Sequence, residues 1–501
     1  MQGLGKRLGP AATASACVLL LALAPTAFGK RPNVIVIVTD DQTLESYERK
    51  VMPRTHRKLG DRGTTFTEAI VSTPQCCPSR GGFLTGQYSQ NNGVTSNRPG
   101  YPALRGKRNT LPNWLRAAGY RTIHLGRFLN GYWETRGERP APGWHTWKTV
   151  LRTDYQDPTW SIDGRARRDE NRYLTSTLNR MAKREIRRNA ARRKPFYLQI
   201  DHLAPHHGWG RERSRCRGGA VPKRKDENRF RKRRAPRTPA ALESDLGDKP
   251  EFIQRRSPHS AADFAEADLR YGCTLGSLLE VDRGTAAVTK ALRRAGVLGA
   301  TMILFTSDNG FAQLEHLIRG TKGLPYEEHL RVPLVIRPPR SFPKASRTGL
   351  KLDAPVANID LAPTILDLAD TVPCRSNGGC RRMDGRSLVP LLRGRDRGWT
   401  DTRAIRTSFS VNNETYRYSC RWDGLRTPER SLINHVLLPE VGGRTCTAAD
   451  EFEFYDLEQD PFQLDSNDAV PAGLRARLDR LRRCSGIARR DGSQAGRPFC
   501  E

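Results

Sequence analysis

The strongest constraint on the fold comes from five short runs of apolar, largely β-branched residues in the first two thirds of the sequence. The runs lie at 33–39, 121–125, 196–200, 301–306 and 332–336. Near-continuous apolar runs of this length are typical of strands buried on both faces, as in parallel sheets. Helical patterns lie between several of them. Strands that alternate with helices predict an α/β sandwich with a large, mainly parallel sheet flanked by helices.

The last fifth of the sequence has a different pattern. Strand-like segments at 415–421 and 452–457 are separated by turns, and a basic helical segment follows at 472–483. We therefore predict an α/β domain over residues 30–398 and a smaller C-terminal α+β domain over residues 399–501.

The N-terminus is typical of a secretory signal peptide. Lys6 and Arg7 form a basic start, residues 11–23 are mostly apolar, and small residues precede position 30. The apolar stretch is too short and too rich in alanine for a membrane span, and no later segment approaches the required length. Residues 1–29 are therefore predicted to be a signal peptide. We expect the protein to be secreted to the extracellular space, the periplasm or the cell surface.

The sequence contains 11 cysteines. One lies in the predicted signal peptide, and Cys76 and Cys77 belong to a motif described below. The other eight form an even set, which favours disulfides in an exported chain. Proximity along the sequence, with elimination for the last pair, predicts Cys374–Cys380, Cys420–Cys446, Cys484–Cys500 and Cys216–Cys273. Zinc is the competing use, but no Cys-x-x-Cys spacing supports it.

The chain is strongly basic, with a formal net charge of +32 and an isoelectric point of about 10.3. A cationic surface attracts polyanions such as sulfated glycans, nucleic acids or anionic membranes. The alternative is a general preference for arginine, because arginine is spread along the whole chain. The densest basic run, 211–237, has few aromatic residues for stacking on bases, so we predict no specific nucleic-acid partner. It belongs to a segment of low hydrophobicity, 211–258, which we interpret as a surface loop.

The most specific motif is the segment 76–86, Cys-Cys-Pro-Ser-Arg-Gly-Gly-Phe-Leu-Thr-Gly. It resembles the type I sulfatase signature, Cys-x-Pro-Ser-Arg-x-x-x-Leu-Thr-Gly, at every defined position. The resemblance implies an alkaline-phosphatase-like sandwich. It also implies that a formylglycine-generating enzyme oxidises Cys76 to formylglycine (3-oxoalanine), whose hydrated aldehyde attacks the sulfur of a sulfate ester. Arg80 would hold the hydrate in place.

Polar residues follow two of the predicted strands. Asp40 and Asp41 end the first, and Asp308 and Asn309 end the fourth. Ligands of open α/β sheets bind beyond the carboxyl ends of the strands, and an all-oxygen set suits Ca²⁺ or Mg²⁺. An Asp-Asp pair alone is as often a turn or a helix cap. The four positions match those of the divalent-metal ligands of sulfatases, usually for calcium, with residue 76 as a further ligand.

Two more segments are similar to the family in chain order. His206, in Ala-Pro-His after the third strand, matches a histidine that contacts the sulfate ester, and His202 and His207 rank lower. Lys322 matches the family's lysine before Tyr/Trp-Glu. By family mechanism, Lys322 or His206 would protonate the leaving alcohol.

The second sulfatase signature is altered in this chain. It usually reads Gly-Lys-Trp-His, whereas here Arg127 replaces the lysine and Leu129 stands where the histidine would be. Arginine can hold an oxyanion but does not donate a proton at neutral pH. The altered ending, with Asp-Lys-Pro at 248–250, is similar to the branch that contains N-acetylglucosamine-6-sulfatase and the extracellular endosulfatases.

These features predict an exported, calcium-dependent sulfuric-ester hydrolase that acts on a sulfated, polyanionic sugar or glycosaminoglycan. A phosphonate or phosphodiester hydrolase is the nearest alternative, because relatives with this fold and even formylglycine perform that chemistry. An alternative from another class is a catalytically silent polyanion-binding protein in which Cys76 stays a thiol.

Overall fold

The computed structural model describes most of the chain from residue 31 onward. It describes residues 31–501 except 138, 193, 211–213, 376–378, 397, 400–402, 411–420, 437–450, 468, 487–499 and 501. The predicted signal peptide, the predicted Cys420–Cys446 disulfide and nearly all of the segment 415–421 lie outside these residues.

The described elements alternate between strands and helices for most of the chain. The strands of the described residues are β1 (Asn33–Asp40), β2 (Thr64–Phe66), β3 (Ala69–Ile70), β4 (Arg121–Gly126), β5 (Thr146–Val150), β6 (Thr159–Ile162), β7 (Arg165–Arg168), β8 (Phe196–Pro205), β9 (Thr301–Ser307), β10 (Leu334–Arg337), β11 (Leu350–Leu352), β12 (Val356–Ala357), β13 (Ile405–Phe409), β14 (Arg421–Arg426), β15 (Arg430–Val436) and β16 (Glu451–Asp456). The α-helices of the same residues are α1 (Pro53–Lys58), α2 (Cys76–Thr85), α3 (Ser89–Asn92), α4 (Leu111–Ala117), α5 (Tyr132–Arg136), α6 (Leu174–Ala190), α7 (Glu251–Gln254), α8 (Ala261–Arg294), α9 (Glu327–Leu330), α10 (Leu361–Leu368), α11 (Val389–Leu392) and α12 (Ala472–Arg483).

The central sheet has ten strands in the described part of the chain, in the order β11-β2-β10-β9-β1-β8-β4-β5-β6-β7. β1 lies in the middle and pairs in parallel with β8 and β9, and β4 pairs in parallel with β8 and β5. β10 is antiparallel to β9, and β6 and β7 are also antiparallel to their neighbours. The sheet is therefore mixed, with a parallel centre that confirms the predicted fold class.

Alternate residues of β1 face two different hydrophobic cores. Val34, Val36 and Val38 belong to one core with α2, α4 and α10, whereas Ile35 and Ile37 belong to another with α6 and α8. A strand buried on both faces needs apolar residues at every position, which explains its continuous apolar sequence. Helices on both faces of the sheet make the sandwich that the alternating pattern predicts.

The predicted helices at 110–118 and 261–295 correspond to α4 and α8. Ser260 and Asp263 form a capping box at the start of α8, and each satisfies a backbone N–H of the other. Thr110 occupies the N-cap position of α4 but makes no side-chain cap; its hydroxyl accepts a hydrogen bond from Asn113 Nδ2 at 2.9 Å.

The C-terminal strands form an antiparallel sheet in the order β13-β14-β15-β16, with α12 after it. Trp422 on β14 donates from Nε1 to the carbonyl of Gly323 at 2.9 Å, and Arg426 Nε donates to Glu327 at 2.9 Å. This sheet therefore contacts the segment that carries Lys322. The segments 452–457 and 472–483 are confirmed as β16 and α12, and the domain boundary at residue 398 stays a prediction.

Three of the four predicted disulfides are present: Cys216–Cys273, Cys374–Cys380 and Cys484–Cys500. The first joins the segment 214–258 to α8. Val221 and Ile253 of that segment are buried, so it is packed onto the molecule rather than fully solvated. Among the described residues, no helix has both the length and the apolar character needed to cross a bilayer.

Candidate active site

The candidate site lies at the carboxyl ends of β1, β8 and β9, where α2 begins. Cys76 is the first residue of α2 and is almost completely buried. Its Sγ lies 3.4 Å from Asp40 Oδ1 and 2.9 Å from the Lys322 ammonium nitrogen. Burial raises the pKa of the Cys76 thiol well above its ordinary value, so the unmodified residue is a neutral thiol.

The four predicted metal ligands come together because β1 and β9 are adjacent and parallel. Asp41 has a left-handed backbone conformation, with a φ of +66°, and its N–H donates to Asp308 Oδ1 at 3.2 Å. Asn309 Nδ2 donates to Asp41 Oδ1 at 2.6 Å. Carboxylate oxygens of Asp40, Asp41 and Asp308 lie within 4.8 Å of one another. Non-glycine residues seldom adopt this conformation, and they concentrate at functional sites.

Arg80, one turn after Cys76 on α2, connects three buried carboxylates. Its guanidinium contacts Asp308 Oδ2 at 2.8 Å, Asp40 Oδ2 at 3.0 Å and Asp201 Oδ1 at 3.2 Å. The side chain is 4% exposed, so these charges are screened little by water. The planar fork of arginine can satisfy several oxygens at once, which a lysine ammonium cannot do with the same geometry.

Arg127, just after β4, lies on the other side of Asp40. Its Nε is 3.1 Å from Asp40 Oδ2, and its Nη2 donates to Asn130 Oδ1 at 3.4 Å. Its Nη1 is buried and has no hydrogen-bond partner among the described residues. A buried guanidinium N–H without a partner is costly, and a bound anion would satisfy it.

Lys322 lies between the metal-ligand cluster and Cys76. Its ammonium group pairs with Asp41 and lies 4.0 Å from Asp40 Oδ1. Burial raises the pKa of Asp40, but the charges of Arg127, His206, Arg80 and Lys322 outweigh burial and hold that pKa well below its ordinary value. Asp40 is therefore an anion throughout the physiological range.

His206 follows β8 and faces the same cleft. Its Nε2 lies 3.8 Å from Asp41 Oδ2, and its Nδ1 is 2.5 Å from the carbonyl oxygen of His207. A carbonyl can only accept, so Nδ1 carries the proton. Burial lowers the pKa of His206 to about 3, so its ring is neutral and Nε2 is left as an acceptor.

The two alternative histidines are placed differently. His207 stacks on His206 with ring centroids 4.0 Å apart and is exposed to solvent. His202 is buried within β8, and burial lowers its pKa to about 4. The ranking of His206 above both agrees with its shorter approach to the acidic cluster, although its role stays a prediction.

Asp201 is a site residue that the sequence analysis missed. Its Oδ2 accepts hydrogen bonds from His124 Nε2 at 2.9 Å and from Gln199 Nε2 at 2.8 Å, while its other oxygen pairs with Arg80. Thr149 contacts the second ring nitrogen of His124 at 2.8 Å. A charged residue directly after the apolar run 196–200 is the signal that would have found it.

The chemistry of the acidic cluster fits a divalent cation. Asn309 Oδ1 is buried and has no hydrogen-bond partner in the described part of the chain. Burial, and then the charge of Asp40, raise the pKa of Asp308 to about 7. An unpaired amide oxygen and a carboxylate that resists ionisation both favour an added positive charge. Oxygen donors of this kind suit Ca²⁺ or Mg²⁺.

A cleft of about 870 Å³ leads to these residues. Its lining residues include Arg127, His206 and Lys322, which contact the acidic cluster. Trp133 and Trp209 also line it, and they are 42% and 66% exposed, which is unusual for such large apolar side chains. The cleft has the volume of a small-molecule site and presents aromatic faces to solvent.

Comparison with known proteins agrees with this geometry. The sulfatase family model matches residues 32–371, and the model for the C-terminal region of N-sulphoglucosamine sulphohydrolase matches residues 320–481. The chain is 32% identical to the extracellular sulfatase SULF-1 homolog of Drosophila melanogaster, over 76% of this chain and 33% of that protein. It is 31% identical to human N-acetylglucosamine-6-sulfatase, over 73% of this chain and 65% of the human protein. The chain thus spans between a third and about two thirds of the length of these relatives.

A solved structure shares the fold. It is the structure of a protein in complex with its substrate D-glucosamine-2-N,6-O-disulfate, with a TM-score of 0.69 and 23% identity, covering 90% of this chain and 97% of that one. The likeness confirms the alkaline-phosphatase-like sandwich, and the named relatives confirm the resemblance to the N-acetylglucosamine-6-sulfatase and extracellular sulfatase branch. With a family model that matches well over half of its residues, the chain belongs to the sulfatase enzyme family.

Proposed function

We propose that this protein is a secreted sulfatase that releases sulfate from a sulfated sugar or glycosaminoglycan, using formylglycine at position 76 and a divalent cation. The observation that carries the proposal is the contact between the sulfur of Cys76 and the ammonium group of Lys322, a residue that lines the cleft. The same sulfur contacts a carboxylate, and Arg127, another lining residue, has a buried N–H without a partner among the described residues. A relative named as an extracellular sulfatase supports secretion. The relative named N-acetylglucosamine-6-sulfatase supports a sulfated sugar as the substrate.

The residues around position 76 fit the groups that the family uses. Asp40, Asp41, Asp308 and Asn309 would hold a calcium or magnesium ion, which supplies positive charge beside the nucleophile. If converted to formylglycine, residue 76 would supply a hydrated aldehyde whose hydroxyl is nucleophilic toward sulfur. Its neighbours offer both a donor, Lys322, and an acceptor, Asp40.

The chain's own cations would neutralise the sulfate ester. A sulfate ester is an anion, so its oxygens need positive partners before a nucleophile can approach. Arg127 Nη1 is the free donor for one such oxygen. Arg80 is occupied by three carboxylates, so it would fix the acidic cluster and the start of α2 rather than bind substrate.

Between the two candidate acids, the structure favours Lys322. His206 is neutral with its proton on Nδ1, which donates to a backbone carbonyl, so Nε2 can accept from a substrate hydroxyl but has no proton to give. Lys322 carries protons on an ammonium group that already reaches the sulfur of residue 76. We therefore assign protonation of the leaving alcohol to Lys322 and orientation of the substrate to His206.

The test combines peptide mass spectrometry across residue 76 with sulfate-release assays on protein co-expressed with a formylglycine-generating enzyme. We expect the aldehyde mass and release of sulfate from sulfated glucosamine. Cys76→Ala should lose at least about a thousandfold in kcat/KM and keep its far-UV spectrum, while the control Cys77→Ser keeps activity.

Three outcomes would overturn the proposal. Faster turnover of a phosphonate or phosphodiester than of any sulfate ester would favour the phosphoryl-transfer alternative. Binding of heparin without sulfate release, on protein that carries the aldehyde, would favour the polyanion-binding alternative. Undiminished sulfate release by Cys76→Ala would exclude residue 76 as the nucleophile.

A further inference from the structure

A second cavity, separate from the cleft that Arg127, His206 and Lys322 line, lies where α6 and α8 meet the β5–β7 edge of the central sheet. Its volume is about 1270 Å³. We call it the basic groove. Its lining residues are Lys148, Ile162, Arg167, Asp169, Arg172, Thr177, Arg180, Met181, Lys183, Arg184, Arg187, Ala190, Ala191, Ala287, Lys290, Ala291, Arg294 and Ala295.

The charge of this lining is heavily one-sided. Nine of these residues are lysine or arginine, and Asp169 is the single acidic one. Asp169 pairs with Arg167, and Lys148 pairs with the buried Glu185. Among the described residues, the other seven cations have no carboxylate within ion-pairing distance: Arg172, Arg180, Lys183, Arg184, Arg187, Lys290 and Arg294. A solvated helix face would normally intersperse acidic residues as partners.

The arrangement of the cations is regular. Arg180, Arg184 and Arg187 follow one another at helical spacing on α6, so they share one face. Lys290 and Arg294 are four residues apart on α8. Like charges at this spacing destabilise a helix, so this arrangement has a cost that no described carboxylate offsets.

Short side chains lie beside the cations that line the basic groove. Ala190 is the last residue of α6 and Ala191 follows it, while alanines at 287, 291 and 295 lie on one face at the C-terminal end of α8. Short side chains next to long cationic ones leave room for a bound chain. The described lining residues include no aromatic side chain on which a nucleic-acid base could stack. This combination suits a linear chain whose own surface carries the negative charges, as a sulfated polysaccharide does.

The basic groove and the active-site cleft are neighbours along the chain. On β5, Lys148 lines the groove and Thr149 lines the cleft. The Asp157 N–H donates to the carbonyl of Arg172, a groove residue, at 2.9 Å. Three residues earlier, Asp154 forms a β-bridge with Trp209 in the cleft. One loop therefore borders both sites.

We propose that the basic groove is a second binding site for a sulfated polysaccharide, holding a distant stretch of the same chain whose sulfate ester enters the cleft. This inference rests on the proposed function for the identity of the polymer. It goes further by separating the residues that retain a long substrate from those that react with it. The groove would lower KM for long chains and leave short substrates unaffected.

The test compares two triple variants with equal change in net charge. The groove variant is Arg184→Gln, Arg187→Gln and Lys290→Gln. The control is Arg62→Gln, Lys344→Gln and Lys351→Gln, which removes three exposed cations at or near β11, the opposite edge of the central sheet. Heparin affinity is measured by calorimetry in a Cys76→Ala background, so that binding is tested whether or not the protein releases sulfate.

We expect the groove variant to bind heparin at least about tenfold more weakly, with a shallower dependence on salt, and the control to bind nearly as the parent does. In the active background, KM for long heparin chains should rise, while kcat/KM for glucosamine-6-sulfate stays unchanged. The midpoint temperature of thermal unfolding should be unchanged or slightly higher, because like-charge repulsion on α6 is reduced.

Equal losses of heparin affinity in the two triple variants would overturn the proposal, since they would show a general charge effect. Unchanged heparin binding by the groove variant would also overturn the proposal. So would a groove variant that loses affinity for duplex DNA but not for heparin, because the groove would then be a nucleic-acid site. Failure of sulfate release with retained groove-dependent heparin binding would refute the proposed function and leave the groove as a polyanion site.

Discussion

The ammonium nitrogen of Lys322 lies 2.9 Å from the sulfur of Cys76, although 246 positions separate the two residues in the sequence. Cys76 is fixed by α2, and Lys322 lies on a segment that the C-terminal sheet contacts through Trp422. The contact therefore joins distant parts of the fold at one atom pair. The Lys322 ammonium group is also a hydrogen-bond donor to the side chain of residue 76.

Substitution of Lys322 should have an effect that depends on the leaving group. Lys322→Arg keeps the charge but gives up its proton far less readily, so kcat for a sugar sulfate should fall about a hundredfold or more. 4-Nitrophenyl sulfate has a good leaving group that needs little protonation, so kcat for this substrate should fall much less. Equal losses for both substrates would contradict the assignment. His206→Gln serves as the control, because it should lower kcat by a similar factor for both substrates.

Cation binding should strengthen as the pH rises toward neutrality. The folded-state pKa of Asp308 is raised from 3.8 to about 7, so the cation-free protein keeps this carboxyl neutral below that pH. Its ionisation in a buried site beside the Asp40 carboxylate costs stability as the pH rises from its ordinary pKa toward about 7, and a bound cation removes that cost. Calcium affinity should therefore increase about tenfold per pH unit below 7.

The measurement is calcium titration of chelator-treated protein, followed by thermal unfolding with and without calcium, at pH 5.5 and pH 8. The stabilisation by calcium should be larger at pH 8. Asp308→Asn is the control and should abolish this difference. An affinity that does not change with pH in the parent protein would refute the linkage.

Asp201→Asn should disturb both stability and activity, even though Asp201 lies outside every motif. The change removes the charge that pairs with Arg80, leaving a buried guanidinium with one partner fewer. We expect the free energy of unfolding to fall by about 3 kcal/mol and kcat to fall at least about tenfold. Asp61→Asn, which breaks the exposed pair with Arg49, should leave the free energy of unfolding nearly unchanged. An unchanged kcat in Asp201→Asn would contradict this prediction, because it would show that Arg80 does not need its ion pair with Asp201.

The sequence predicts β1 and α8 nearly to the residue because their patterns are continuous and strong. The apolar pattern predicts that the third strand ends at residue 200, whereas β8 continues to Pro205. The reason is tertiary: Asp201 can lie inside a buried strand because Arg80 and His124 surround it. The direction of β10 was likewise unreadable, because an apolar run looks the same in a parallel and an antiparallel pair. The acidic ligands were predictable, since they follow the strands directly.

The disulfides should differ in their contribution to stability according to the loops they close. Cys216–Cys273 closes 57 residues and Cys374–Cys380 closes 6. Loop-closure entropy gives about 4 kcal/mol for the longer loop and about 2 kcal/mol for the shorter. Paired Cys→Ser variants, compared by chemical denaturation, test this order. A larger loss of stability from opening the shorter loop would contradict this order and show that loop-closure entropy does not decide how much each disulfide contributes.

The hydrogen bond from Trp422 to Gly323 makes the C-terminal sheet part of the support of Lys322. Gly323 is next to Lys322, and the ring of Phe409 lies where a side chain at Gly323 would have to go. β13 and β14 are thus part of the support of the lysine that we propose as the acid. A chain without β13 and β14 would keep Cys76, Arg80 and all four cation ligands but would lose these contacts beside Lys322. The residues that contact position 76 are therefore supported by both the central sheet and the C-terminal sheet.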